Sequence, residues 1–123
     1  MAITGIRSFH YSTNKLEEAK KFYIEALGFE LDYEQPGWCA LKMGGVQVAL
    51  HPEEEPIPEV PRDSHGPMTG GCLTLKSDNI PEDKALLEKH GAKILGDNDM
   101  PWGHMLVFED LDKNVLILMN AKY

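Results

Sequence analysis

Cysteine is scarce in this sequence. Cys39 and Cys72 stand far apart and belong to no CxxC motif, so neither a zinc-ribbon framework nor a disulfide scaffold is encoded. Positive charge is also in short supply. Twelve Lys and Arg face twenty Asp and Glu, a formal charge of −8. That balance argues against a nucleic-acid binder, which needs a basic face. No stretch approaches the roughly 18 consecutive apolar residues that suggest a membrane span. Met1 is followed by Ala-Ile-Thr-Gly, not by a basic start and an apolar run, so no secretory signal is expected. These absences lead to the expectation of a cytoplasmic protein with reduced thiols, and of neither nucleic-acid nor membrane partners.

The remaining composition is that of an ordinary globular chain. Apolar residues make up 42% and charged residues 26% of 123 positions. Ile6 to Ser12 reads as a strand. A helix follows, with Asn14 and Glu17 spaced as a capping box. Leu16, Ala19, Phe22, Tyr23, Ala26 and Leu27 fall on its apolar face, and Gly28 stops it. Phe29–Glu34, Trp38–Met43 and Val46–His51 are strand candidates, separated by the turn signals Pro36-Gly37 and Gly44-Gly45. From Pro52 to Pro67 the periodicity vanishes among prolines and acidic residues. Proline donates no backbone hydrogen bond, so this stretch reads as a linker.

After the linker the order begins again. Gly71–Lys76 is a strand candidate. Asp78-Asn79 leads into a helix with Pro81 in its first turn, Ala85, Leu86 and Leu87 on its apolar face, and Gly91 at its end. Ala92–Leu95, His104–Glu109 and Val115–Met119 are further strands, the last preceded by an Asp112-Lys113-Asn114 turn. Leu27-Gly28-Phe29-Glu30-Leu31 and His90-Gly91-Ala92-Lys93-Ile94 occupy equivalent places, an internal repeat of roughly 60 residues. The expected fold is α+β. Two tandem βαβββ modules form a curved eight-stranded mixed sheet around an open cavity, with the helices outside. Residues 1–51 make the first module, 52–69 the linker and 70–123 the second module.

The residues Leu16-Glu-Glu-Ala-Lys-Lys-Phe-Tyr23, Leu27-Gly28-Phe29, Pro101-Trp-Gly103 and Phe108-Glu-Asp-Leu-Asp-Lys-Asn114 resemble the vicinal oxygen chelate superfamily. That superfamily includes glyoxalase I, bleomycin-resistance proteins, extradiol dioxygenases and methylmalonyl-CoA epimerase. The last motif is similar to the family's Asp-Pro-Asp-Gly-Asn turn, with Leu111 and Lys113 in place of Pro and Gly. The matches cover nearly the whole chain. The resemblance implies a fold, and the reaction has to be argued from the site.

Metal enzymes of the superfamily carry ligands on the first and last strand of each module. Alignment on the motifs places these positions at Ser8, Ala49, Cys72 and Ile117. A divalent ion needs about three nitrogen, oxygen or thiolate donors. Ala49 and Ile117 offer none, a neutral Ser is a poor ligand, and Cys72 alone holds nothing firmly. The last-strand Glu that serves as a proton-transfer base is Ile117 here. No catalytic residue and no cofactor are therefore expected.

Alternation along the strands puts Ser8, His10 and Ser12 on the cavity side, with Gln47, Ala49 and His51, Cys72 and Thr74, and Val115, Ile117 and Met119. The expected ligand-binding set is Ser8, His10, Gln47, His51, Cys72, Thr74, Trp102, His104, Ile117 and Met119. Trp102 either stacks on a flat ligand or caps the core edge, and Trp38 has the same two readings, with core packing favoured. The leading expectation is a metal-free small-molecule binder of the bleomycin-resistance type, working as a homodimer. One alternative is a lyase, isomerase or dioxygenase with displaced ligands. It would hold Zn, Ni, Mn or Fe through His10 and His51, with Cys72 or Glu109 as third donor. A non-catalytic assembly domain is the other.

Overall fold

A computed structural model describes residues 2–122. The chain divides into two compact units, Met1–Pro56 and Ile57–Tyr123. The first unit holds β1 (Phe9–Thr13), α1 (Leu16–Glu25), β2 (Glu30–Gln35), β3 (Trp38–Met43) and β4 (Val46–Pro52). The second holds β5 (Arg62–Asp63), β6 (Gly66–Pro67), β7 (Leu73–Lys76), α2 (Ile80–Lys89), β8 (Lys93–Met100), β9 (Gly103–Glu109) and β10 (Val115–Ala121). The tandem βαβββ order is the one expected. The eight module strands are hydrogen-bonded as two sets of four, in the orders β1-β4-β3-β2 and β7-β10-β9-β8. In each sheet the first strand pairs in parallel with the last strand of its module, and the remaining pairs are antiparallel.

Helix α1 forms because its apolar residues recur at helical spacing. Ala19, Phe22 and Tyr23 are buried. They meet the face of the first sheet that presents Tyr11, Val48 and Leu50, also buried. Tyr23 packs its ring 6.4 Å from that of Tyr11 and 5.9 Å from that of Phe29. The capping box does not form. Lys15 is the N-cap and makes no side-chain cap bond. The Asn14 amide instead donates to the carbonyls of Glu53 and Glu55, each at 2.8 Å. It thereby ties the chain leaving β4 to the start of the helix. In α2 the cap is made: Asn79 accepts from the Glu82 N–H at 3.1 Å.

The proline-rich stretch is more ordered than a plain linker. Arg62–Asp63 and Gly66–Pro67 pair as a two-stranded ribbon. A ribbon has only edges, which is where a proline is tolerated. This hairpin packs on the second sheet. An added Cβ on Gly96 would lie 2.0 Å from the Ser64 carbonyl oxygen, and one on Gly66 would lie 3.3 Å from Ile117 Cδ1. Asn98 Nδ2 donates to the same Ser64 carbonyl at 2.8 Å. Before β10, the Asp110 carboxylate accepts from the N–H groups of Asp112 and Asn114, both at 2.9 Å. Lys113 in that turn has a φ of 66°, in the region that favours glycine.

Candidate functional site

The two sheets differ on the faces turned away from their helices. In the first, the register sets Trp38, Ala40 and Lys42 of β3 on the same face as Gln47, Ala49 and His51 of β4 and His10 and Ser12 of β1. Three flat rings gather there. His10 lies 5.7 Å from Trp38 and 6.3 Å from His51, and Trp38 lies 6.3 Å from His51, between ring centroids. His10 is exposed, while Trp38 and His51 are half-buried. His51 Nδ1 faces Glu53 Oε1 at 2.8 Å. Beside the rings Ala40 and Ala49 are directly paired and fully buried, and Lys42 pairs with Gln47 next to them.

Gln47 lies on the same face. Its Nε2 points at Asp32 Oδ2 across 3.5 Å. Its Oε1 is buried and has no hydrogen-bond partner among the described residues. Asp32 sits at the irregularity in the β2 register, between Leu31 and Tyr33. Ser8 precedes β1 and is half-buried. The expected residues His10, Gln47 and His51 thus share one face. Trp38, favoured from the sequence as core, joins them. Alternation alone could have placed it, because Trp38 is two residues from Ala40, which pairs with Ala49.

In the second sheet the corresponding face is apolar. Met105, Val107, Val115 and Ile117 form a buried cluster, with Cys72, Leu95, Trp102 and Met119 packed against it. β10 buries both faces, which explains its unbroken Val-Leu-Ile-Leu-Met run. Burial pushes the Cys72 thiol up from its ordinary value, partly opposed by a hydrogen bond with Thr74, so it stays protonated at neutral pH. Thr74 itself is exposed.

The structure separates His104 from this group. The register puts it with Leu106 and Phe108 on the α2 side of the sheet. There it contacts Asp97, which also accepts from Lys84 of α2 at 2.9 Å. Those two hydrogen bonds, His104 first, hold the Asp97 carboxyl below its ordinary value. Glu109 is buried and pairs with Arg62 of the hairpin, a contact that no sequence motif signalled.

The family model for the glyoxalase/bleomycin resistance protein/dioxygenase superfamily matches residues 5–118. The chain belongs to this superfamily. Among solved structures, TnmS3, an antibiotic binding protein from Streptomyces sp. CB03234, is 30% identical. Coverage is 99% of each chain and the TM-score is 0.73. Lactoylglutathione lyase from Agrobacterium tumefaciens shares the fold at 19% identity and a TM-score of 0.68, covering 97% of this chain and 95% of the other. The fosfomycin resistance protein FosX from Listeria monocytogenes shares it at 13% identity and a TM-score of 0.76, covering 95% and 93%. A comparison with curated proteins gave no match.

Membership in the superfamily raises the question of a metal, and the side chains present do not fit one. The hydrocarbon side chains of Ala49 and Ile117 have no donor atom. Within either unit, no group of three His, Cys, Asp or Glu among the described residues could hold an ion. Of the displaced donors considered above, Glu109 is engaged by Arg62 and His51 by Glu53. Among the described residues no helix is long and apolar enough to cross a membrane.

Proposed function

We propose that this superfamily member is a metal-independent binding protein that holds a small aromatic molecule against the first sheet, over His10, Trp38 and His51. The observation that carries this reading is the convergence of three flat, polar-edged rings on one face of the first sheet. Rings in this arrangement offer stacking and edge contacts worth roughly 0.5–1.5 kcal/mol per aromatic pair beyond area burial. Few polar anchors beside apolar contact surface is the usual character of a small-molecule site. The description of TnmS3 as an antibiotic binding protein supports the same class of role for its 30% identical relative here. The donor set supports binding without a metal. The proposal includes a homodimer, for which sedimentation reads the mass, and a cytoplasmic setting, which two free and separated thiols suit.

Calorimetric titration with a panel of polycyclic aromatic compounds tests the reading, run beside metal analysis of the purified protein. A binder whose affinity falls about tenfold or more in Trp38→Ala is the expected result. Stoichiometric metal that is lost on joint substitution of His10 and His51 by alanine would overturn it in favour of a metal enzyme.

A further inference from the structure

We infer that the aromatic ligand of the first sheet carries a neutral hydroxyl group, as a phenol does, which donates to His51 Nε2, and that Glu53 is the positioning residue that makes this nitrogen an acceptor. This rests on the aromatic face proposed above and names the polar group of its ligand.

An ionised carboxylate accepts hydrogen bonds and donates none. Glu53 Oε1 lies 2.8 Å from His51 Nδ1, so the proton of a neutral His51 sits on Nδ1. The lone pair is then on Nε2, at the opposite edge of the ring. With its tautomer set in this way, the imidazole offers an acceptor to a molecule beside it.

Glu53 is fixed on both sides of its backbone. Its N–H donates to the Thr13 carbonyl at 2.8 Å, which carries the β1–β4 hydrogen bonding one residue beyond Pro52. Its own carbonyl accepts from the Asn14 amide at 2.8 Å. The extended chain therefore keeps its alternation, and Glu53 falls on the face that carries His10 and His51. That face is open to a ligand here: His10 is exposed, and the His51 side chain is 42% exposed. Charge narrows the class further. The Glu53 carboxylate repels an aromatic carboxylate at this end and leaves a neutral hydroxyl unopposed.

Three naphthalene probes isolate the polar group. 2-Naphthol, 2-methoxynaphthalene and naphthalene-2-carboxylate share the ring and differ in one substituent. In fluorescence titrations near pH 8, above the titration of a free imidazole, the full chain is expected to bind 2-naphthol about fivefold or more tightly than the other two, the scale of one hydrogen bond. His51→Phe keeps a flat ring and removes the acceptor, and should bind 2-naphthol and its methyl ether alike. Glu53→Ala should weaken 2-naphthol and leave the ether unchanged. Nitrogen-15 NMR of the imidazoles reads the tautomer with no ligand present. His51 should carry its proton on Nδ1, and Glu53→Ala should shift it toward Nε2. Equal affinity for naphthol and ether, both weakened by Trp38→Ala, would overturn the hydroxyl inference and leave the aromatic face intact. A preference that survives in His51→Phe would also overturn it, as would an unsubstituted His51 protonated at Nε2 alone. No binding of any probe would overturn the aromatic face, and the hydroxyl inference with it.

Discussion

At the scale of single residues, local chemistry decides which side chains join the candidate site. His104 shows this. The motif around Trp102 suggested a pocket-edge role, but alternation along β9 turns His104 toward α2. It there shares the Asp97 carboxylate with Lys84. The consequence is a measurable pH dependence. The Asp97 carboxyl is held below its ordinary 3.8 by these two partners. A lowered carboxylate contributes stability that is present above its unfolded value and is lost as pH falls through the folded one. Asp97→Asn should therefore lower stability near neutrality. The loss should be no more than about 1 kcal/mol, since the side chain is 37% exposed and solvent screens the pair. Denaturant titrations of both proteins should diverge at pH 6 and converge in strong acid. A difference that is the same at both pH values would show that packing, not charge, links α2 to β8. Lys113 is a second local departure. It holds a positive φ where the family's turn motif has glycine, and the Asp110 carboxylate fixes the turn around it.

At the scale of elements, the β5–β6 hairpin is the feature the sequence concealed. Five prolines and a run of acidic residues read as solvated linker, and the pairing of Arg62 with Pro67 leaves no periodic trace in two-residue strands. What fixes the hairpin is tertiary. Gly96 lets the Ser64 carbonyl approach β8, and the Arg62 guanidinium meets the buried Glu109. Arg62→Ala would leave that carboxylate buried and unpaired, a loss on the order of 3–5 kcal/mol. Adding Glu109→Gln should recover part of it. Thermal unfolding of the single and double variants measures both effects. Equal loss in the two would mean the pair adds nothing beyond the contacts of the arginine stem. The long elements behaved differently. The helices and the six strands that follow them were legible because their apolar periods match their secondary structure and glycines mark their ends. The boundaries that moved most are those of β1, which starts at Phe9 and not Ile6, and of β8, which runs on to Met100 past the expected end at Leu95, and Asn14 spends its side chain on the 53–55 carbonyls, not on the helix cap.

At the scale of the molecule, each module places polar and apolar surface differently on an otherwise repeated fold. The first sheet keeps imidazoles, an indole and amides on the face away from α1. The second puts Met105, Val107, Val115 and Ile117 there and lays the hairpin against them. The repeat was visible in the order of strands and turns. The asymmetry was visible only in part, because alternation named Ile117 and Met119 but gave no sign of what packs on them. If the first sheet is where a ligand binds, and no metal takes part, the stability of the whole chain should respond to ligand and not to chelator. A ligand at a hundred times its dissociation constant adds about 2.7 kcal/mol to a fold that alone binds it. For a chain of this length that is a rise in Tm on the order of 10 °C. Exhaustive treatment with a strong chelator should leave both the unliganded Tm and this rise unchanged. A Tm that falls on chelation and returns with added zinc, nickel, manganese or iron would mean that a metal is part of the folded state. Because linkage acts through the equilibrium of the entire fold, this measurement requires no assumption about which side chain touches the ligand. It therefore tests metal-independence separately from the role given to Trp38.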